Sequence, residues 1–175
     1  INDGAFRDCS SLTNIFIPSN VGFIGEDVFM NCSGLEAIQV DTQNMDYSSF
    51  DGVLFNKDQD TLLLYPAGKH GAYTIPNSVT SIRSGAFSEC DHLTSVVIPN
   101  GVVAIEPSTF FGCDALEAVS IPDSVSTIGA GAFGSCSSLT EVIMPNSITT
   151  IGSGIFQYCG SLTNVVLPNS ITAIP

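Results

Sequence analysis

The stretch FSECDHLTSVVIPNGVVAI, which runs from Phe87 to Ile105, decides the fold because its apolar positions recur along the chain. A phenylalanine marks each recurrence, and the successive gaps are 23, 58, 23, 23 and 23: Phe6, Phe29, Phe87, Phe110, Phe133 and Phe156. A cysteine lies three residues after each phenylalanine, at Cys9, Cys32, Cys90, Cys113, Cys136 and Cys159. A leucine lies three residues further on, at Leu12, Leu35, Leu93, Leu116, Leu139 and Leu162. Matched anchors at a single period indicate a chain wound into stacked coils.

Composition narrows the class of protein. The chain has 175 residues, of which 44% are hydrophobic, and its formal charge is −13 although only 12% of residues are charged. That hydrophobicity excludes a disordered acidic tail. Four Lys plus Arg are too few for a phosphate-binding face, so no nucleic acid partner is expected. No apolar run of about 18 residues exists, so we expect no membrane insertion in this segment.

The central pattern Leu-x2-Val-x-Ile-Pro predicts one short strand per coil, ending at a proline that has no N–H to continue a ladder. The seven predicted strands are 15–17, 38–40, 73–75, 96–98, 119–121, 142–144 and 165–167. A second extended segment, such as Val125 to Ile128, is expected on another side of the coil. The fold class predicted is a leucine-rich repeat solenoid, a right-handed β-rich superhelix of about seven coils. Its parallel strands would line the concave face, with little α-helix.

The long gap between Phe29 and Phe87 interrupts the regular array and lacks one Phe/Cys/Leu set. The segments 51–55 and 61–65 flank the polar stretch 56–60, which predicts a β-hairpin bulging from the solenoid. We therefore expect one domain, 1–175, with regular repeats at 1–40 and 76–175 and an irregular repeat with the hairpin at 41–75. Both ends fall within the repeating pattern, so an excerpt of a longer protein is expected.

The unit Ala-Phe-x2-Cys-x2-Leu-x2-Val-x-Ile-Pro-x2-Val-x2-Ile resembles the BspA-like (Treponema-type) leucine-rich repeats. The irregular stretch from Val40 to Phe87, with Tyr65-Pro66-Ala67-Gly68, looks like the variant unit that interrupts such arrays. The resemblance implies a surface or secreted protein of mucosal bacteria or protozoan parasites. It also implies adhesion, binding to host extracellular matrix, or aggregation with other cells. The family has no shared catalytic residue to carry over.

The cysteines and phenylalanines are interpreted as structural ladders. Equivalent cysteines in stacked coils would be about 4.8 Å apart with parallel side chains, a poor geometry for disulfides. A one-dimensional ladder also offers no tetrahedral ligand set, so buried free thiols are expected and no metal. The phenylalanine rings, one coil apart, are expected to stack within the core.

Other polar clusters have a functional and a structural interpretation. Asp58 to Asp60 with Asn56, and Asp41 with Asn44 and Asp46, could form calcium loops, but solvated turns are favoured because the calcium-loop spacing is missing. The glycosylation pattern Asn31-Cys32-Ser33 overlaps a core cysteine and is discounted. His70 and His92 are the only histidines. A catalytic triad chosen from so many Ser and Asp residues would be arbitrary.

The candidate binding residues alternate with the inward residues of the predicted strands and would face outward on the concave side. They are Phe16, Gln39, Thr74, Ser95, Val97, Ser120, Glu141, Ile143, Asn164 and Val166. Apolar members of this set suggest an interaction surface. The alternative is the ordinary β-branched composition of an open sheet.

The function predicted is a non-catalytic binding module of a cell-surface or secreted protein, mediating adhesion or protein–protein interaction. Its partner would be a protein of the host, such as extracellular matrix, or of a neighbouring cell. The alternative is a structural spacer that presents another domain. An enzyme is not expected, because laddered Ser, Thr, Asn and Asp do not form a convergent catalytic set. No catalytic residue and no cofactor are predicted.

Overall fold

The computed structural model describes residues 1–173, and all of its regular elements are strands. In chain order they are β1 (Asn14–Ile17), β2 (Ala37–Val40), β3 (Tyr47–Phe50), β4 (Val53–Asn56), β5 (Thr61–Leu64), β6 (Gly71–Thr74), β7 (Ser81–Ile82), β8 (Leu93–Val97), β9 (Ala104–Ile105), β10 (Ala118–Ser120), β11 (Thr127–Ile128), β12 (Glu141–Ile143), β13 (Thr150–Ile151) and β14 (Asn164–Val166). The described part of the chain holds no helix long and apolar enough to cross a membrane. Ile174 and Pro175 lie outside it.

The strands confirm a solenoid of about seven turns of roughly 23 residues. Each coil contributes one strand to the first series, which consists of β1, β2, β6, β8, β10, β12 and β14. Where neighbouring strands of this series pair, they are parallel, and equivalent residues of the two repeats lie opposite each other, as Val96 and Val119 do. Each begins one to three residues before the predicted start, because the residues that precede the predicted strand also join the ladder. A second series of short parallel strands, β9, β11 and β13, aligns Ile105, Ile128 and Ile151 on another side of the coil.

The turn around each repeat phenylalanine, from two residues before it to three after, is called the Phe loop. Successive regular Phe loops are joined by three backbone hydrogen bonds, donated at the phenylalanine and two residues on either side of it. Between the loops of Phe87 and Phe110 the bonds are Gly85 to Pro107 (3.3 Å), Phe87 to Thr109 (2.9 Å) and Glu89 to Phe111 (2.8 Å). Both outer donors have positive φ, for example 67° at Gly85 and 59° at Glu89.

The rings of the Phe loops stack at intervals close to the rise of one coil. Their centroids are separated by 5.6 Å between Phe6 and Phe29, 4.9 Å between Phe87 and Phe110, 5.4 Å between Phe110 and Phe133, and 5.8 Å between Phe133 and Phe156. Phe87, Phe110 and Phe133 are completely or almost completely buried. The four later rings therefore form one file along the core, and Phe6 and Phe29 form a separate pair.

The irregular repeat is built into the stack and does not bulge from it, contrary to the expectation from sequence. The predicted hairpin is present as β4 and β5, and an unpredicted strand, β3, pairs antiparallel with β4 through the turn at Asp51 and Gly52. Both turn residues have positive φ, 50° and 75°, as the tight turns of two-residue hairpins require. Leu54 packs with the core of the first two coils, whereas Val53 and Phe55 pack with the core of the later ones. The first three residues of β4 are therefore buried between these two cores, whereas Lys57, Asp58 and Asp60 in the loop that follows are exposed.

The missing phenylalanine has a substitute that the sequence analysis did not identify. Tyr65 stacks on Phe87 at 5.0 Å, and its N–H donates to the Ala86 carbonyl, as the Phe87 N–H donates to the Thr109 carbonyl one coil further on. Gly68 takes the position of the cysteine three residues later. A Cβ there would lie 2.6 Å from the Gly34 carbonyl carbon, so only glycine fits this close approach between coils.

Candidate functional site

The outward residues of the first strand in each coil are here called the strand face. The irregular repeat interrupts this face, because β2 contacts β3 and β4 and makes no contact with β6. Phe16 lies opposite Gln39, Val97 lies between Thr74 and Ser120, and Ile143 lies opposite Val166. All of these side chains are exposed. Of the ten candidate residues only Ser95 is half-buried; Glu141 and Asn164 are exposed like the rest. The structure therefore divides the candidates into two sets, with Phe16 and Gln39 on β1 and β2 and the other eight on β6 to β14, and their role in binding remains a prediction.

Four members of the strand face are large and apolar yet open to solvent. Phe16 is 58% exposed, Ile143 60%, and Val97 and Val166 45% each. Ile143 and Val166 lie side by side on paired strands, but Ser120 separates them from Val97, and Phe16 lies on the other side of the irregular repeat, so the four do not form one dry patch. An idle surface gains nothing from exposing such groups, whereas a partner could bury each of them. Near Ile143, the Asn164 side-chain amide donates to the Glu141 carboxylate at 2.5 Å, and this bond holds the two polar side chains together.

Charged and aromatic groups cluster where the irregular repeat joins the array. The Lys69 ammonium pairs with Asp51 at 3.1 Å, and His70 stacks on His92 with ring centroids 4.0 Å apart. Phe50, which precedes the turn, is 57% exposed. Sequence reasoning did not select Phe50, although an aromatic residue beside an Asp-Gly hairpin dipeptide was a visible signal.

Acidic groups near His92 repel one another. Partial burial and the charges of Asp91 and Asp114 raise the pKa of Glu89. Partial burial and the charge of Asp114 raise the pKa of Asp91, and His92 counteracts this. With a net charge of −13 on the chain, this part of the surface favours cationic groups on a partner.

The cysteines are free thiols that mostly pack inside the stack. In every coil after the first that has a cysteine, the thiol donates to the carbonyl of the stacked aromatic residue in the preceding coil, as the Cys113 thiol does to the Phe87 carbonyl at 3.0 Å. Cys32, Cys90, Cys113 and Cys136 are buried and Cys159 is half-buried. Cys9 contradicts the expectation of burial: it is exposed because no described coil precedes and covers it.

The two suspected calcium loops are occupied by the protein's own groups. Asn44 is completely buried, not solvated as expected: its amide donates to Pro18 and Val21, and its oxygen accepts from Asp46 and Tyr47. The carbonyls of Thr42 and Asn44 accept from the Lys57 ammonium, which supplies positive charge where a calcium ion would have done so. In the other suspected loop, which runs from Asn56 to Asp60, the Asn56 amide donates to the Asp60 carboxylate at 2.7 Å. Residues 1–173 contain no group of three or more His, Cys, Asp or Glu arranged to hold a metal.

Two tyrosine hydroxyls are buried in the core, a feature that was not predicted from the sequence. Tyr65 and Tyr73 pack against each other with ring centroids 4.9 Å apart, and neither hydroxyl has a hydrogen-bond partner within the described residues. Burial raises the pKa of both tyrosines above the usual range. These hydroxyls are a local weakness of the core where the irregular repeat meets the regular array.

The repeat geometry agrees with a known family. Six copies of the BspA type leucine rich repeat region match residues 1–57 and 68–175. The chain belongs to the BspA-type leucine-rich-repeat family. The unmatched residues, 58–67, include most of the β4–β5 loop and all of β5, where the repeat is irregular. BspA-type repeats are generally protein-interaction modules of bacterial surface proteins and are not known as enzymes.

Solved structures place the BspA-type chain among bacterial repeat proteins. The pneumococcal vaccine antigen PcpA is 28% identical with a TM-score of 0.88, covering 94% of this chain and 41% of that one. A leucine rich cell surface protein from Faecalibacterium prausnitzii is 30% identical with a TM-score of 0.69, covering 89% and 48%. The leucine rich repeat protein of T. pallidum is 28% identical with a TM-score of 0.54, covering 97% and 63%. The chain thus spans less than half of the first two structures. No curated protein matches it.

Proposed function

We propose that this chain is a non-catalytic binding module of a cell-surface or secreted protein, with its strand face as the contact surface. The observation that carries the proposal is the recurrence of exposed apolar residues, Phe16, Val97, Ile143 and Val166, on the outward side of the first strand of their coils. A partner that buried these four side chains would gain about 25 cal/mol for each Å² of apolar surface removed from water. The description of the F. prausnitzii relative as a cell surface protein supports the location.

The partner class that fits this face is a protein of the host or of a neighbouring cell. Alternating apolar and polar side chains can supply both apolar contacts and hydrogen bonds, as protein interfaces require. The charge of −13 favours a partner with a basic surface and gives an association rate that falls with added salt. A structural spacer is the competing function, and it predicts no saturable binding at all.

The experiment compares two variants of equal charge. Val97→Lys, Ile143→Lys and Val166→Lys together place three ammonium groups on the strand face. The control places three lysines at Val103, Ser126 and Thr149, equivalent exposed positions of successive coils that lie outside the face. Binding to immobilised extracellular-matrix proteins and to epithelial cells is measured with the purified chain.

The proposal expects saturable binding by the original chain and the control, and loss of about tenfold or more in affinity for the strand-face variant, since each lost hot-spot contact costs about 1–2 kcal/mol. Equal binding by both variants would move the contact away from the strand face. Absence of saturable binding by the unaltered chain would favour the spacer.

A further inference from the structure

The irregular repeat opens a groove between the Phe loop of Phe29 and that of Phe87. It has a volume of about 400 Å³, and its apolar floor includes Leu63, Leu64 and Tyr65. Arg83 on one wall forms an ion pair with Glu26 on the other. The groove exists because residues 63–68 supply only part of a Phe loop, with Tyr65 alone bonded to the next coil.

The walls of the groove carry backbone groups that make no hydrogen bond between coils, at the positions where regular Phe loops make them. In the Phe loops of Phe6, Phe87, Phe110 and Phe133 the three inter-coil donors all bind carbonyls of the next coil. On the near wall the equivalent N–H groups, at Asp27, Phe29 and Asn31, donate no hydrogen bond within the described residues. On the far wall the Ser84 and Ser88 carbonyls accept from no described backbone N–H, although the Cys90 thiol donates weakly to the Ser88 carbonyl at 3.8 Å. One wall of the groove therefore offers donors and the other offers acceptors, and the central acceptor, the Ala86 carbonyl, is already taken by the Tyr65 N–H.

A polypeptide backbone is the ligand that matches this pattern. Its carbonyls would accept from the near wall and its N–H groups would donate to the far wall, as in the addition of a strand to an open sheet edge. An apolar side chain would cover the floor of Leu63 and Leu64. At the Ser88 end, Glu89 lies close enough to Asp91 and Asp114 for their charges to raise its pKa. A basic residue of the ligand is complementary to that end.

We propose that this groove docks a peptide segment of a partner protein, with one bulky apolar residue followed by a basic one, whose backbone completes the interrupted ladder. The proposal rests on the protein-binding function inferred above but uses residues outside the strand face. It therefore supplies a second, separable contact within the same module.

The test uses a peptide that copies a complete loop. Residues 129–135 of this chain, followed by one lysine and blocked at both ends, are titrated into the ¹⁵N-labelled chain while amide hydrogen exchange is followed by NMR. Before addition, the amides of Asp27, Phe29 and Asn31 should exchange faster than the paired amide of Phe6, which donates to Val28 at 2.9 Å. At about ten times Kd the peptide should slow their exchange by about tenfold.

Three controls identify the contact. Methylation of the peptide nitrogens at Gly131 and Ser135 removes the N–H groups aimed at the far wall, and replacement of the added lysine by glutamate reverses the charge. On the protein, Ser84→Trp covers the groove, and Ser153→Trp places the same side chain at the equivalent loop position of a distant coil. The proposal expects weaker binding from both altered peptides and from Ser84→Trp, with no change for Ser153→Trp.

The proposal is overturned if the three wall amides already exchange as slowly as that of Phe6, or if the peptide leaves their exchange unchanged. It is also overturned if the methylated peptide binds as well as the original, or if Ser84→Trp binds as well as Ser153→Trp. The strand-face lysine variant should keep the groove response, so failure of the groove and failure of the strand face are told apart.

Discussion

Replacement of Tyr65 by phenylalanine is expected to stabilise the protein. The hydroxyl is buried without a partner in the described structure, and the side chain is only 2% exposed. An unsatisfied buried polar group costs about 1–3 kcal/mol, and Tyr65→Phe removes that cost. The ring remains in place to stack on Phe87 at 5.0 Å, so the packing is retained. We expect the free energy of unfolding to rise by about 1–3 kcal/mol, or about 2–4 °C of midpoint temperature per kcal/mol.

Two other tyrosines make the test discriminating. The Tyr47 hydroxyl accepts from the Ile24 N–H at 3.0 Å, so Tyr47→Phe should destabilise by about 0.5–1.5 kcal/mol. Tyr158 is 75% exposed, and Tyr158→Phe should change stability by less than about 0.5 kcal/mol. Urea unfolding followed by circular dichroism gives all three values at a common slope. If Tyr65→Phe lowered stability as Tyr47→Phe does, the hydroxyl would have a partner and the reasoning would be refuted.

Three further predictions concern the loops and ionisable groups. Stability should fall as pH rises above about 9 to 10, because the pKa values of Cys113 and Tyr65 are raised in the folded state and both groups ionise more readily when the chain is unfolded. Urea titrations at alkaline pH should show the free energy of unfolding falling by about 1.4 kcal/mol per pH unit for each group. Ser108 has a φ of 55° where Gly131 occupies the same loop position, so Ser108→Gly should stabilise and Gly131→Ala destabilise, each by about 0.5–1 kcal/mol in thermal unfolding. Glu89→Gln should stabilise by about 0.5 kcal/mol at neutral pH and lose this advantage at pH 4, where the carboxyl of Glu89 is protonated in the parent chain.

The register of the array follows from the sequence because a fixed repeat length brings like residues together in every coil. The residues that face outward follow as well, since alternation within a strand depends only on which residues are apolar. Strand starts do not follow so closely: β8 begins at Leu93, three residues before its predicted start, because Thr94 and Ser95 also pair with neighbouring coils.

The irregular repeat is where prediction from the period fails. The positions of Phe29, Tyr65 and Phe87 differ by 36 and then by 22, so neither interval matches the period. The available signal was local: Tyr65 and Gly68 repeat the phenylalanine-to-cysteine spacing. The groove depends on how far the hairpin separates two Phe loops, which no local pattern encodes.

Each coil lies on the next in the register that the repeat length sets, and scalar couplings across hydrogen bonds test this central claim most directly. In a ¹³C,¹⁵N-labelled sample, we expect a coupling from the Phe87 nitrogen to the Thr109 carbonyl carbon and from the Phe110 nitrogen to the Ala132 carbonyl carbon. The corresponding nitrogen-to-oxygen hydrogen-bond distances are 2.9 and 2.8 Å. Couplings that join these amides only to carbonyls of their own coil would contradict the stacked architecture, and the strand face would lose its basis.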